Sequence, residues 1–160
     1  MNRTIKLGAF LASMSTLGLV LTASASTAAG SSQSQNDRDS RTVQVIEHAT
    51  TDTQVPSSPD QTGSVLTFHN DVFDKTDVRK VGTDRGDCVR IAPAEGTWEC
   101  RWTTFLNGGQ ITVEGPFNDT SNTVLSITGG TGKYRSARGQ MQLLSRNGGT
   151  EYDFVFQLGD

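Results

Sequence analysis

The chain has 160 residues, with 17 acidic and 14 basic side chains and a formal net charge of -3. That mildly acidic balance, with Lys and Arg scattered along the sequence, removes any electrostatic reason to expect nucleic acid or an anionic membrane as partner.

Residues 1–25 read as a signal peptide. Arg3 and Lys6 give a positive start, an apolar run from Leu7 to about Leu21 follows, and Ala23-Ser24-Ala25 offers a small-residue cleavage site. The run is broken by Ser13, Ser15 and Thr16 and falls short of the roughly 20 apolar residues of a membrane span. A secreted protein without a membrane anchor is expected. Cleavage leaves about 135 residues, the size of one domain with a real core. Loss of Arg3 and Lys6 takes the charge to about -5. Residues 26–40 are small and polar and read as a disordered leader, which leaves 41–160 as the folded domain.

From Arg41 onward the periodicity is that of strands, with no amphipathic helix. Thr42 to Glu47 alternates, with Val43, Val45 and Glu47 on one face. Residues 50–63 are a long loop rich in Pro, Ser and Asp. Ser64 to Asn70 alternates again, bringing Leu66, Phe68 and Asn70 together. Asp71 to Val78 reads as a polar connection, and Arg79 to Ile91 as a strand interrupted by glycine. After a turn at 92–96, Trp98 to Phe105 places Trp98, Cys100 and Trp102 on one face. Asn107-Gly108 signals a hairpin into Gln110 to Gly115. Thr123 to Thr128, Ala137 to Leu144 and Glu151 to Leu158 follow, the last two joined by Asn147-Gly148-Gly149. These are eight short antiparallel strands, an all-β pattern best met by an up-and-down barrel, because closure removes exposed edges. Eight strands leave an interior that side chains fill or that holds one small ligand.

Cys88 and Cys100 are the only cysteines. In an exported chain a disulfide is the simplest reading. A turn centred on Ala94 sets the two opposite each other, within reach of a bond across paired strands. Neither a metal nor a cofactor is expected, since only His48 and His69 accompany the cysteines.

The glycine-rich run Ile127 to Gly139 (ITGGTGKYRSARG) invites a nucleotide-binding reading and fails it. A P-loop needs Ser or Thr after Gly-Lys, and Tyr134 follows Lys133. A dinucleotide fingerprint fails as well, because Arg135 stands where the third glycine belongs. Gly129, Gly130, Gly132 and Gly139 instead suit a tight connection between two strands.

Four segments, GSVLTFHNDVFD (63–74), VGTDRGDCVRI (81–91), QITVEGPF (110–117) and ITGGTGKYRSARGQ (127–140), occur in this order. In them the chain resembles the allene oxide cyclase and dirigent-protein superfamily of eight-stranded barrels, above all its bacterial allene-oxide-cyclase-like members. The likeness spans about Val43 to Leu158. It implies an eight-stranded antiparallel β-barrel whose apolar cavity holds a reactive molecule in one conformation. Allene oxide cyclases close an epoxide-bearing fatty acid into a cyclopentenone, dirigent proteins steer the coupling of phenoxy radicals, and related bacterial barrels guide cycloadditions. The resemblance also implies that a homotrimer is possible.

Carried over by position, Glu47 matches the glutamate that acts electrostatically on the substrate. Asn70 and the backbone carbonyl of Pro56 match groups that hold a water beside the epoxide, and Cys88 matches a pocket cysteine that shapes the reacting conformation. Two positions depart from the pattern. Ala49 stands where an asparagine is usual, and Cys100 has no counterpart in the plant cyclases; a bond between Cys88 and Cys100 removes the pocket thiol.

Phe68, Trp98 and Trp102 are candidates for contact with the substrate, with Phe154 and Phe156 as packing or cavity lining. Arg90, Arg101 and Arg138 could grip a substrate carboxylate, although strand-face charges are more often simply solvated. His48 and His69 with the many serines do not make a hydrolase, since no nucleophile elbow is present. The expected function is an isomerase or cyclase steering ring closure of a small hydrophobic substrate. The alternative is a non-catalytic barrel that binds a hydrophobic ligand or directs coupling in the dirigent manner.

Overall fold

The computed structural model describes residues 41–159. The expected signal peptide and leader lie outside the described residues. Ten strand segments appear: β1 (Arg41–His48), β2 (Thr53–Val55), β3 (Val65–Phe68), β4 (Asp71–Asp74), β5 (Lys80–Ala92), β6 (Thr97–Leu106), β7 (Gly109–Asn118), β8 (Thr123–Gly130), β9 (Arg138–Arg146) and β10 (Glu151–Gly159). All neighbouring pairs are antiparallel, and pairing of β5 with β6 closes the sheet on itself.

The ten segments occupy eight lanes of a closed barrel. β3 and β4 pair in succession along the same side of β5, so they are one lane broken at His69 and Asn70. β1 and β2 pair in turn with β4 and β3, a second lane broken between Ala49 and Asp52. Two sequence expectations are corrected here. Asp71 to Asp74 is strand rather than connection, because Val72 is wholly buried and its neighbours alternate around it. The long loop at 50–63 also holds a short strand, β2, recruited by backbone pairing with β3.

Period-2 alternation carries the core inward from every lane. Val45, Trp98, Cys100, Trp102, Ile111, Val113, Leu125, Ile127, Met141, Phe154 and Phe156 all lie in the interior cluster. The hairpin at Asn147-Gly148 has positive φ at both positions, 46° and 69°, as a turn matched to the strand twist requires. Cys88 and Cys100 face each other in register and are joined as a disulfide, which is compatible with an exported protein.

The glycine run works by close approach. At Gly132, φ is +58° and a Cβ would fall 2.1 Å from the Gly108 carbonyl oxygen; at Gly130 a Cβ would meet the Tyr134 oxygen at 2.4 Å. Freed of side chains, the turn at Gly132–Tyr134 docks on the β6–β7 hairpin through Lys133 N–H to Gly108 O (2.8 Å) and Thr131 N–H to Gln110 O (3.0 Å). It delivers the ring of Tyr134, 4% exposed, into the core cluster.

Candidate functional site

The two lane breaks meet at Asn70. Its side-chain oxygen accepts the backbone N–H groups of Thr50 (3.0 Å) and Thr51 (2.9 Å) and the Thr51 hydroxyl (3.0 Å). Three donors on that oxygen fix the orientation of the amide, so its NH2 group must point the other way. There it donates to Glu47 Oε1 and to Asp52 Oδ1, both at 2.8 Å. The Asn70 backbone N–H adds a bond of 3.1 Å to Asp84 Oδ1. One fully bonded residue thus holds three carboxyl groups in place.

Glu47 and Asp84 are both buried, at 6% and 0% exposure. Asp84 Oδ2 has no donor of its own among the described residues, and a buried acceptor without a donor is costly. A proton shared with the neighbouring Glu47 carboxyl supplies that donor. Burial, and then the charge of Asp84, holds the Glu47 carboxyl well above the usual carboxylate range, with Asn70 pulling weakly the other way. Burial also pushes Asp84 up, to about 6, against the hydrogen bonds from Glu47 and the Asn70 backbone. Burial and mutual repulsion therefore make the two carboxyls hold a proton more tightly than isolated acids would, Glu47 above all.

Glu47 opens onto a cavity inside the barrel. Its apolar walls come from Leu66 and Phe68 on β3, Trp102 on β6, Leu143 on β9 and Phe154 on β10. The Cys88–Cys100 disulfide forms part of one side, and Phe117, Tyr152 and Asp52 complete the lining. About 380 Å³ of this slot is unfilled, mouth included. Trp102 sits 5.4 Å from Phe154 and 6.0 Å from Phe68, ring centre to ring centre. Tyr152 stands directly across from Glu47 in the β1–β10 register. Burial and then the charges of Glu47, Asp52 and Asp119 push its phenol up to about 12, so it remains a donor at neutral pH.

The site residues expected from sequence divide. Glu47, Phe68, Trp102 and Cys88 line the cavity. Cys88 does so as half of a disulfide, so no thiol is presented there. Asn70 stands behind Glu47 and Asp52, holding both, rather than among the lining residues. Pro56 is half-buried after β2 and does not line the cavity. Trp98 is committed elsewhere: its indole N–H donates to Asp119 Oδ1 (2.8 Å), and the Arg90 guanidinium lies over its ring at 3.8 Å. Sequence reasoning missed Asp84, Asp52 and Tyr152. Asp84 had a visible signal, an acid at the same parity as Cys88 in GTDRGDC; Asp52 sat in a segment read as loop, and Tyr152 in a strand read only for its phenylalanines.

The three arginines considered as carboxylate grips are also placed elsewhere. Arg90, 5% exposed, binds Asp60 and Asp119 (2.8 and 2.6 Å). Arg101 pairs with Asp87 (3.2 Å) in solvent, and Arg138 donates to the carbonyl of Ala137 (2.8 Å). His48 stacks on Phe73 and bonds Asp77 at 2.7 Å, on the side of β1 opposite Glu47. Its ligating atoms and those of Asp77 and Glu151 lie within 4.8 Å of one another. The Arg146 guanidinium, 3.9 Å from each of those carboxylates, already supplies a cation there.

Comparison with known structures agrees with this barrel. A pyocyanin demethylase aligns at TM-score 0.61 and 20% identity, covering 72% of this chain and 99% of that one. A pterocarpan synthase dirigent protein aligns at 0.57 and 21%, covering 75% and 86%. A Diels–Alderase from Streptomyces koyangensis aligns at 0.60 and 17%, covering 78% and 70%. At such identities the likeness establishes the fold alone. The model of the allene oxide cyclase barrel like domain matches residues 42–158, and the chain belongs to that family.

Proposed function

We propose that this barrel takes a small hydrophobic molecule into the slot and steers its isomerisation or ring closure, with the Glu47 carboxyl as the acid. One observation carries the reading: a buried carboxyl whose hold on its proton is strengthened by burial and by Asp84 faces an apolar cavity, held there by Asn70. A hydrogen-bond donor in a site of low polarity stabilises charge developing on a substrate oxygen far better than it would in water. The aromatic walls restrict the substrate to few conformations, so that the reacting atoms spend more of their time close together. Lending the proton to the substrate leaves the negative charge on Glu47, where the Asn70 NH2 group donates to it, and the proton returns to Glu47 when the substrate releases it.

The Cys88–Cys100 disulfide favours a second reading, a barrel that binds or guides without catalysing, since the thiol matched to the cyclases is spent.

Native mass spectrometry of purified protein for a co-purified small molecule, followed by assay of its conversion, separates the two. Glu47→Gln keeps a hydrogen-bonding group of the same size. It is expected to retain the ligand and to lose at least roughly 100-fold in turnover. Full activity in Glu47→Gln removes the proposed acid; a bound ligand that the wild type never converts supports the second reading.

A further inference from the structure

We infer that the slot favours ligands that are cationic, or that present N–H groups, and discriminates against carboxylates. The inference rests on the reading of the cavity as the ligand site and names the class of molecule it takes.

Charge is the first argument. The ionisable groups that line the cavity are the acids Glu47 and Asp52 and the phenol of Tyr152; no Lys, Arg or His is among the described lining residues. Asp84 lies buried behind them. Glu47 and Asp84 together hold one negative charge when they share one proton, and Asp52 stands at the exposed side with one oxygen bound to Asn70. The arginines that could have reversed this sign are already matched with Asp60, Asp119 and Asp87. A guest carboxylate would meet like charge with no partner, and a low-dielectric wall makes that repulsion stronger than in water.

Polarisation is the second. Trp102, Phe154 and Phe68 line the cavity while packing on one another at tilted and edge-on angles, and Phe117 packs edge-on to Tyr152 at 5.8 Å. Aromatic faces carry negative charge density and attract a delocalised cation lying against them. Burial first, and then the charges of the nearby acids, oppose ionisation of the Tyr152 phenol as well.

The test uses three flat two-ring probes of similar size in calorimetric titrations at about pH 7.5: N-methylquinolinium, neutral quinoline and 2-naphthoate. N-methylquinolinium is expected to bind at least roughly tenfold tighter than 2-naphthoate, with quinoline between them. Added salt should shrink the gap, since Asp52 is exposed to screening. In Asp52→Asn, which keeps an oxygen for Asn70, the ratio should fall to within about threefold while quinoline binding holds; that retained binding also reports a folded variant. Equal or tighter binding of 2-naphthoate, or an unchanged ratio in Asp52→Asn, overturns the inference and leaves the cavity as a ligand site. Failure of all three probes to bind overturns both.

Discussion

β5 sends two ionisable residues into the barrel, Asp84 and Arg90, and their surroundings are opposite in kind. Arg90 is matched on every side: two carboxylates bind its guanidinium, and the face of Trp98 lies beneath it. Asp84 has only a backbone N–H and a second acid, with no cation in contact. A buried charge that is fully paired locks neighbouring segments together. Here the pairs tie the loop at Asp60 and the turn at Asp119 to the sheet. A buried acid left without a counter-ion holds a proton more tightly than one in water. The contrast separates a part of this barrel locked by paired charge from a part whose acids have no counter-charge.

Breaking the matched cluster should have the largest effect. Arg90→Ala removes both ion pairs and the stacking on Trp98. Urea unfolding of the disulfide-intact protein is expected to show a loss of about 2–4 kcal/mol, below the full value for a sealed site because Asp60 and Asp119 can rehydrate. A loss under about 1 kcal/mol would mean that the cluster is ornament rather than lock.

The unmatched cluster should show itself in pH dependence. The folded-state pKa of Asp84 is raised to about 6, above its unfolded value of about 3.9. The native state therefore binds more protons than the unfolded chain between those values, and stability falls as pH rises from about 4 to about 6. Asp84→Asn should make that fall in melting temperature shallower, the remainder belonging to burial of Glu47. An unchanged slope in the variant would show that Asp84 carries no raised pKa.

The smallest effect is expected one strand away. Arg101→Ala breaks an ion pair that lies in solvent and should cost under about 0.5 kcal/mol by the same unfolding measurement. A cost comparable to that of Arg90→Ala would erase the distinction drawn between buried and exposed arginines.

Much of this arrangement was legible in the amino-acid order. Alternation at Val43, Val45 and Glu47, and at Trp98, Cys100 and Trp102, marks inward faces because side chains in a strand must alternate. The register of Cys88 with Cys100 followed from turn length alone. The breaks in two lanes were not legible. They depend on Asn70 capturing backbone groups of Thr50 and Thr51 from a distant segment, and no local pattern announces a bond made across the fold. For the same reason no local pattern shows that Asn70, matched by position to a group that holds a water, also fixes Glu47 and Asp52. The fates of Trp98 and Arg90 were hidden too, because only the closed barrel brings Asp60 and Asp119 to them.

The Tyr134 ring, set in place by the glycine turn, has a consequence for traffic. Between it and the slot the barrel is filled by Ile111, Val113, Met141 and Phe156, each wholly buried. That packed layer lies under the slot, so a molecule held in the slot would meet solvent on the side of the exposed Asp52.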